Sequence, residues 1–151
     1  MSPLQDGSPV PPFSLRRADG TFTEADLQGR TSVLVFYPFA FSPVCTDQLS
    51  LYNDLREEFA GHGATLYGVS CDATYSQTAF RDRLGIEIEQ LSDFEPKGAV
   101  CRAFGVYHSG GFAQRALVII GPDATVRWSY QADSPGDLPG ANLIFDGLQA
   151  G

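Results

Sequence analysis

The sequence predicts an α/β fold: a mixed central sheet with helices on both faces, a three-layer sandwich opened by an N-terminal β-hairpin. Three observations carry this expectation. Strand-like apolar runs alternate with segments of helical period through residues 31–104, which calls for parallel pairing. Asp19-Gly20 lies between two short alternating runs, a strong hairpin signal. Gly121-Pro122-Asp123-Ala124 separates two further strand-like runs and adds antiparallel strands late in the chain.

The elements follow in order. Residues 13–16 and 21–23 form the first hairpin. Residues 31–37 are continuously apolar, the pattern of a strand at a sheet centre. From residue 43 to about 60 the period lengthens. Leu49, Tyr52, Leu55 and Phe59 recur every three or four positions, which predicts one amphipathic helix ended by Gly61 and Gly63. Residues 65–70 read as the next strand, 74–84 as a helix closed by Gly85, and 88–91 as a short strand. A helix is expected over 96–104, a hairpin over 115–120 and 125–130, and a last helix over 141–148. No linker or repeat divides the chain, so residues 1–151 are expected to form one domain.

Composition narrows the function. The net charge of −8 speaks against a nucleic-acid partner, which needs clustered Lys and Arg. No apolar run reaches membrane-spanning length, and the first residues lack a charged segment and an apolar segment of signal-peptide type. The expected compartment is the cytoplasm. Cys45, Cys71 and Cys101 are odd in number and widely spaced, unlike a secreted disulfide framework. No Cys-x-x-Cys occurs and His62 and His108 stand alone, so no structural zinc site is expected.

Cys45 is the candidate reactive group. It follows the 31–37 strand, beyond whose carboxyl end the functional crevice of such sheets lies. Ser42-Pro43 is a helix-start signal, Ser as N-cap and Pro at the first position, which makes Cys45 the third helical residue. Free amide groups and the dipole at a helix start favour the thiolate, the nucleophilic form. The Ser42 hydroxyl is expected to reach the Cys45 amide, and Pro38 to supply a rigid apolar wall. Alone, these signals also suit a cap followed by a buried thiol.

The wider constellation resembles the peroxiredoxins. Pro38, Ser42 and Cys45 form a Pro-x-x-x-Thr/Ser-x-x-Cys signature behind a strand. Phe13-Ser14-Leu15 with Asp19-Gly20, Leu34-Val35-Phe36-Tyr37, Gly68-Val69-Ser70-Cys71-Asp72, Leu91-Ser92-Asp93, the segment 103–107 and the strand 115–119 look like that family too. The resemblance implies a thioredoxin-like fold and a thiol-dependent peroxidase without flavin, haem or metal cofactor. By the same resemblance Cys45 is the peroxidatic cysteine, Ser42 binds the peroxide, Pro38 shields the sulfur and Arg115 is the active-site arginine. Gln48 departs from the family, which often has Glu there.

The compact length and the segment 91–100 look most like the alkyl hydroperoxide reductase E-type group, which implies one working cysteine. Ser50 stands where another subgroup has its resolving cysteine, and no arm with a second cysteine is expected to extend the chain. The expected reductant is an external low-molecular-weight thiol or a glutaredoxin-like or thioredoxin-like protein. The alternative is an internal disulfide to Cys71, expected near the active-site edge, or to Cys101, although both also read as buried small hydrophobes. A thiol–disulfide oxidoreductase would want a cysteine where Ser42 stands. The resemblance also implies a homodimer or higher homo-oligomer. His108 reads as a loop residue and Trp128 as sheet packing.

Overall fold

The computed structural model describes residues 3–150; the rest of the expected 1–151 domain lies outside the described residues. The first hairpin pairs β1 (Ser14–Arg17) with β2 (Gly20–Thr23). The apolar run becomes β3 (Thr31–Phe36), followed by α1 (Pro43–Asp54), α2 (Arg56–Gly61), β4 (Ala64–Ser70), α3 (Thr74–Leu84) and β5 (Glu89–Ser92). Next come α4 (Ala99–Ala103), the short strands β6 (Tyr107–His108) and β7 (Phe112–Ala113), the hairpin β8 (Ala116–Ile120) and β9 (Val126–Gln131), and α5 (Ala141–Ala150).

Seven strands form one sheet in the order β2-β1-β5-β4-β3-β8-β9. β3, β4 and β5 run parallel, while β8 pairs antiparallel to both β3 and β9, and β1 antiparallel to β5. The mixed sheet is therefore as expected, with the apolar β3 near its centre.

Alternation along the strands sorts the core into two layers. Val33, Val35 and Tyr37 join Leu117 and Ile119 under α1, α2, α3 and α5, with Leu49, Tyr52, Phe59, Phe80 and Ile144 from those helices. Leu34 and Phe36 face the other way, with Val69, Leu91, Val118 and the hairpin residues Leu15 and Phe22. Helices do cover both faces, but unevenly: among the described residues this second layer has the five-residue α4 and a 3₁₀ turn at Glu24–Leu27.

Two helices differ from the sequence expectation. The single helix over 43–60 is broken at Leu55, whose backbone leaves helical geometry at φ −105°, ψ 7°. Around the break, the Asn53 side chain accepts the Glu87 amide at 2.8 Å and the Asn53 carbonyl accepts the Arg56 guanidinium at 3.3 Å. The helix expected over 96–104 is shortened to α4 because Gly98 is left-handed at φ +71°. An added Cβ there would also strike the Tyr107 ring. Asp93 caps the shortened helix, accepting the amides of Val100 at 3.1 Å and Cys101 at 2.8 Å. The β6–β7 ribbon has no counterpart among the expected elements; its strands are two residues each, too short for a periodic signal.

Trp128 is sheet packing, as expected. It lies beneath α5, where a Cβ on Gly147 would come within 2.7 Å of its ring and of Ile119 Cδ1. Gly147→Ala is therefore expected to destabilise the protein by about 1–3 kcal/mol. At an open helical position the same change stabilises by roughly 0.5–1 kcal/mol. Urea unfolding separates the two: a lowered midpoint fits this packing, and a raised midpoint contradicts it.

Candidate active site

Local chain direction brings the expected site together. β3 ends at Phe36, the chain turns through Tyr37–Phe41, and α1 starts at Pro43 with Ser42 as its N-cap at φ −67°, ψ 148°. Cys45 is the third residue of α1, as expected, and is wholly buried in the helical layer. β8 begins beside the end of β3, with Ala116 opposite Phe36. Arg115, one residue earlier, is on the same side of its strand as Leu117 and Ile119, facing α1.

Arg115 is 2% exposed, and each guanidinium nitrogen has a partner. Nε donates to the Pro135 carbonyl at 2.8 Å, Nη1 to Gln48 Oε1 at 2.5 Å and Nη2 to Cys45 Sγ at 3.1 Å. Among the described residues no carboxylate pairs with it. Gln48 thus keeps the guanidinium oriented without supplying the charge that a glutamate would. A buried cation demands a compensating partner, and the Cys45 sulfur is placed to be that partner.

Gln48 is held in turn. Its amide nitrogen donates to the Tyr52 hydroxyl at 3.3 Å, and that hydroxyl donates to the Pro139 carbonyl at 2.6 Å. Burial pushes the Tyr52 phenol up to about 12, so it stays neutral and remains a donor. Arg115 also borders a cavity of about 240 Å³, lined by Pro38, Ser42 and Phe112 among others. Its lining is largely apolar. Three of the four expected site residues, Pro38, Ser42 and Arg115, therefore wall one cavity, and the fourth, Cys45, contacts Arg115.

Contrary to expectation, the Ser42 hydroxyl makes no capping bond to the Cys45 amide. The Ser42 carbonyl instead accepts the Thr46 amide at 2.9 Å, and Ser42 lines the cavity. The loop before it is pinned from β4: Asp72 Oδ2 accepts the Ala40 amide and the Ser70 hydroxyl, both at 2.8 Å. Sequence spacing does not single out Asp72 as a site residue, because its partner Ala40 is 32 positions away. Phe41 in this loop holds φ +71°, a strained value for a side chain with a Cβ.

Cys71 and Cys101 are buried, as one of their two readings expects, but Cys71 is not beside Cys45. Cys71 follows β4, but it continues the alternation of Tyr67 and Val69 and so falls in the layer opposite to Cys45. Cys101 from α4 is in that same layer. The Cys71 and Cys101 sulfurs and an Asp93 oxygen lie within 4.8 Å of one another, a cluster that their sequence spacing does not show. His108 is a ribbon residue stacked on Phe112, and its Nδ1 accepts the Gly110 amide at 2.8 Å.

A single thiol at the head of a helix, gripped by a buried arginine on a thioredoxin-like sheet, defines a thiol-based redox enzyme. The chain belongs to the AhpC/TSA family, the peroxiredoxins, whose members are thiol-dependent peroxidases; the family pattern matches residues 7–129. It is 29% identical to alkyl hydroperoxide reductase E of Mycobacterium tuberculosis over 97% of each chain. It is 33% identical to "Probable peroxiredoxin prdx-3" of Caenorhabditis elegans over 89% of this chain, which spans 64% of that protein. The solved structure of peroxidoxin BcpB from Mycobacterium tuberculosis superposes with a TM-score of 0.83 at 28% identity, over 97% of each chain.

Proposed function

We propose that this protein reduces hydrogen peroxide, organic hydroperoxides or peroxynitrite through Cys45. The Cys45 thiolate attacks the outer peroxide oxygen. The O–O bond breaks, a sulfenic acid forms on Cys45, and the departing oxygen leaves as water or an alcohol after taking a proton. Arg115 donates to the sulfur and to the peroxide oxygens as negative charge moves between them. Ser42 offers its free hydroxyl to the substrate, and Pro38 keeps bulk water from the sulfur. The contact from Arg115 Nη2 to Cys45 Sγ, 3.1 Å in a buried setting, is the observation that carries this reading.

An external thiol, either a low-molecular-weight thiol or a glutaredoxin-like or thioredoxin-like protein, completes the cycle. The placement of Cys71 and Cys101 in the other core layer supports this over an internal disulfide to Cys45. Residues 1–151 act as one domain, assembled as a homodimer or larger homo-oligomer in the cytoplasm. Among the described residues no helix is long and apolar enough to cross a membrane.

Peptide mass spectrometry after one equivalent of hydrogen peroxide tests the cycle. The expected result is one added oxygen on the Cys45 peptide, removed by an added thiol with transient mixed-disulfide formation. A disulfide linking Cys45 to Cys71 or Cys101 of the same chain contradicts external resolution.

A further inference from the structure

We infer that Cys71 and Cys101 are a second redox centre, a buried dithiol that closes to a disulfide independently of Cys45. The two sulfurs lie within 4.8 Å, and both thiols are free. They share one core layer, across the sheet from Cys45. A disulfide needs an S–S separation near ~2.05 Å, so the sulfurs must approach each other by less than about 3 Å. The segments that carry them suit such a shift. Cys71 sits in the bend just after β4, and Cys101 sits in the five-residue α4, which starts at the left-handed Gly98.

The two thiols are not equivalent. Cys101 is fully buried, while Cys71 retains 7% exposure. A hydrogen bond from Cys101 draws the Cys71 thiol down from its ordinary range, whereas that bond and burial push Cys101 up. Cys71 is thus the sulfur that meets the oxidant, and Cys101 is the proton-bearing partner.

The chemistry balances with a hydroperoxide as oxidant. Cys71 sulfur attacks the outer oxygen, the O–O bond breaks, and Cys71 becomes a sulfenic acid as water or an alcohol leaves. Cys101 sulfur then attacks the Cys71 sulfur, the S–O bond breaks, and water departs with the Cys101 proton. Two thiols are oxidised by two electrons and one hydroperoxide is reduced.

A metal site is the competing use of the same cluster. Among the described residues the cluster offers three ligands, whereas structural zinc takes four. Both Asp93 oxygens also already accept amides of α4. Asp93 is better read as the helix cap that fixes Cys101 beside Cys71.

The test uses the full chain carrying Cys45→Ser, so that its outcome does not depend on the proposed function of Cys45. The reduced variant is exposed to excess hydrogen peroxide and digested without reductant. The expected products are a loss of two hydrogens and a linked peptide pair containing Cys71 and Cys101, both reversed by dithiothreitol. Cys45→Ser with Cys101→Ser should show no such loss. Two thiols still titratable after oxidation, oxygen added to each sulfur separately, or stoichiometric bound zinc that blocks their alkylation would each overturn the inference. If Cys45→Ser does not fold, Cys45→Ala gives the same readout.

Discussion

Cys45→Ser is expected to abolish hydroperoxide consumption, a loss on the order of 10⁴-fold or more, as for removal of other catalytic nucleophiles. A serine hydroxyl fits the volume but does not ionise near neutral pH, and it cannot form a sulfenic acid. Stability should change far less. The hydroxyl is a polar atom placed where Arg115 Nη2 already donates, so its burial is satisfied. The expected pattern is therefore a folded, inactive protein, read by peroxide consumption beside urea unfolding. Retained peroxide turnover in that variant would remove Cys45 from the reaction.

Arg115→Met should have the second largest effect. Methionine keeps apolar bulk but removes the donors to Cys45 Sγ, Gln48 Oε1 and the Pro135 carbonyl. Loss of a positioned donor to developing charge lowers such rates by roughly 10²–10³. Two costs are separable. Orphaning the buried Gln48 amide lowers stability by about 1–3 kcal/mol. Losing the donor to sulfur slows the oxidation of Cys45 itself. Arg115→Lys should recover part of the stability but little of the rate, because one ammonium cannot span the three partners that the planar guanidinium reaches. Rapid-mixing measurement of Cys45 thiol loss follows the oxidation step, and equal rates in wild type and Arg115→Met would contradict the assigned role.

The sequence showed best what is local. Asp19-Gly20, the apolar β3 run, Ser42-Pro43 and Gly85 each act within a few residues, and the elements they predict are present. Position of Cys45 as the third residue of α1 is of this kind. What the sequence hid is non-local. Arg115 and Cys45 are 70 positions apart, and only family resemblance joined them before the fold did. The break at Leu55 coincides with an Asn53–Glu87 contact across 34 positions. Cys71 is a middle case. Its alternation with Tyr67 and Val69 already assigns it to the face away from Cys45, and proximity to a strand end was the weaker guide. Its meeting with Cys101 depends on the turn at Gly98 and the cap from Asp93, neither visible from spacing.

The claim on which the rest depends is that a buried guanidinium holds one sulfur ready for a hydroperoxide. Stopped-flow oxidation of the Cys71→Ser, Cys101→Ser variant, with Cys45 as its sole thiol, tests it most directly. The account predicts rapid second-order loss of that thiol to sulfenic acid, much faster than for a free cysteine. The advantage should disappear when Arg115→Met is added. A thiol that reacts no faster than free cysteine, with or without Arg115, would contradict it.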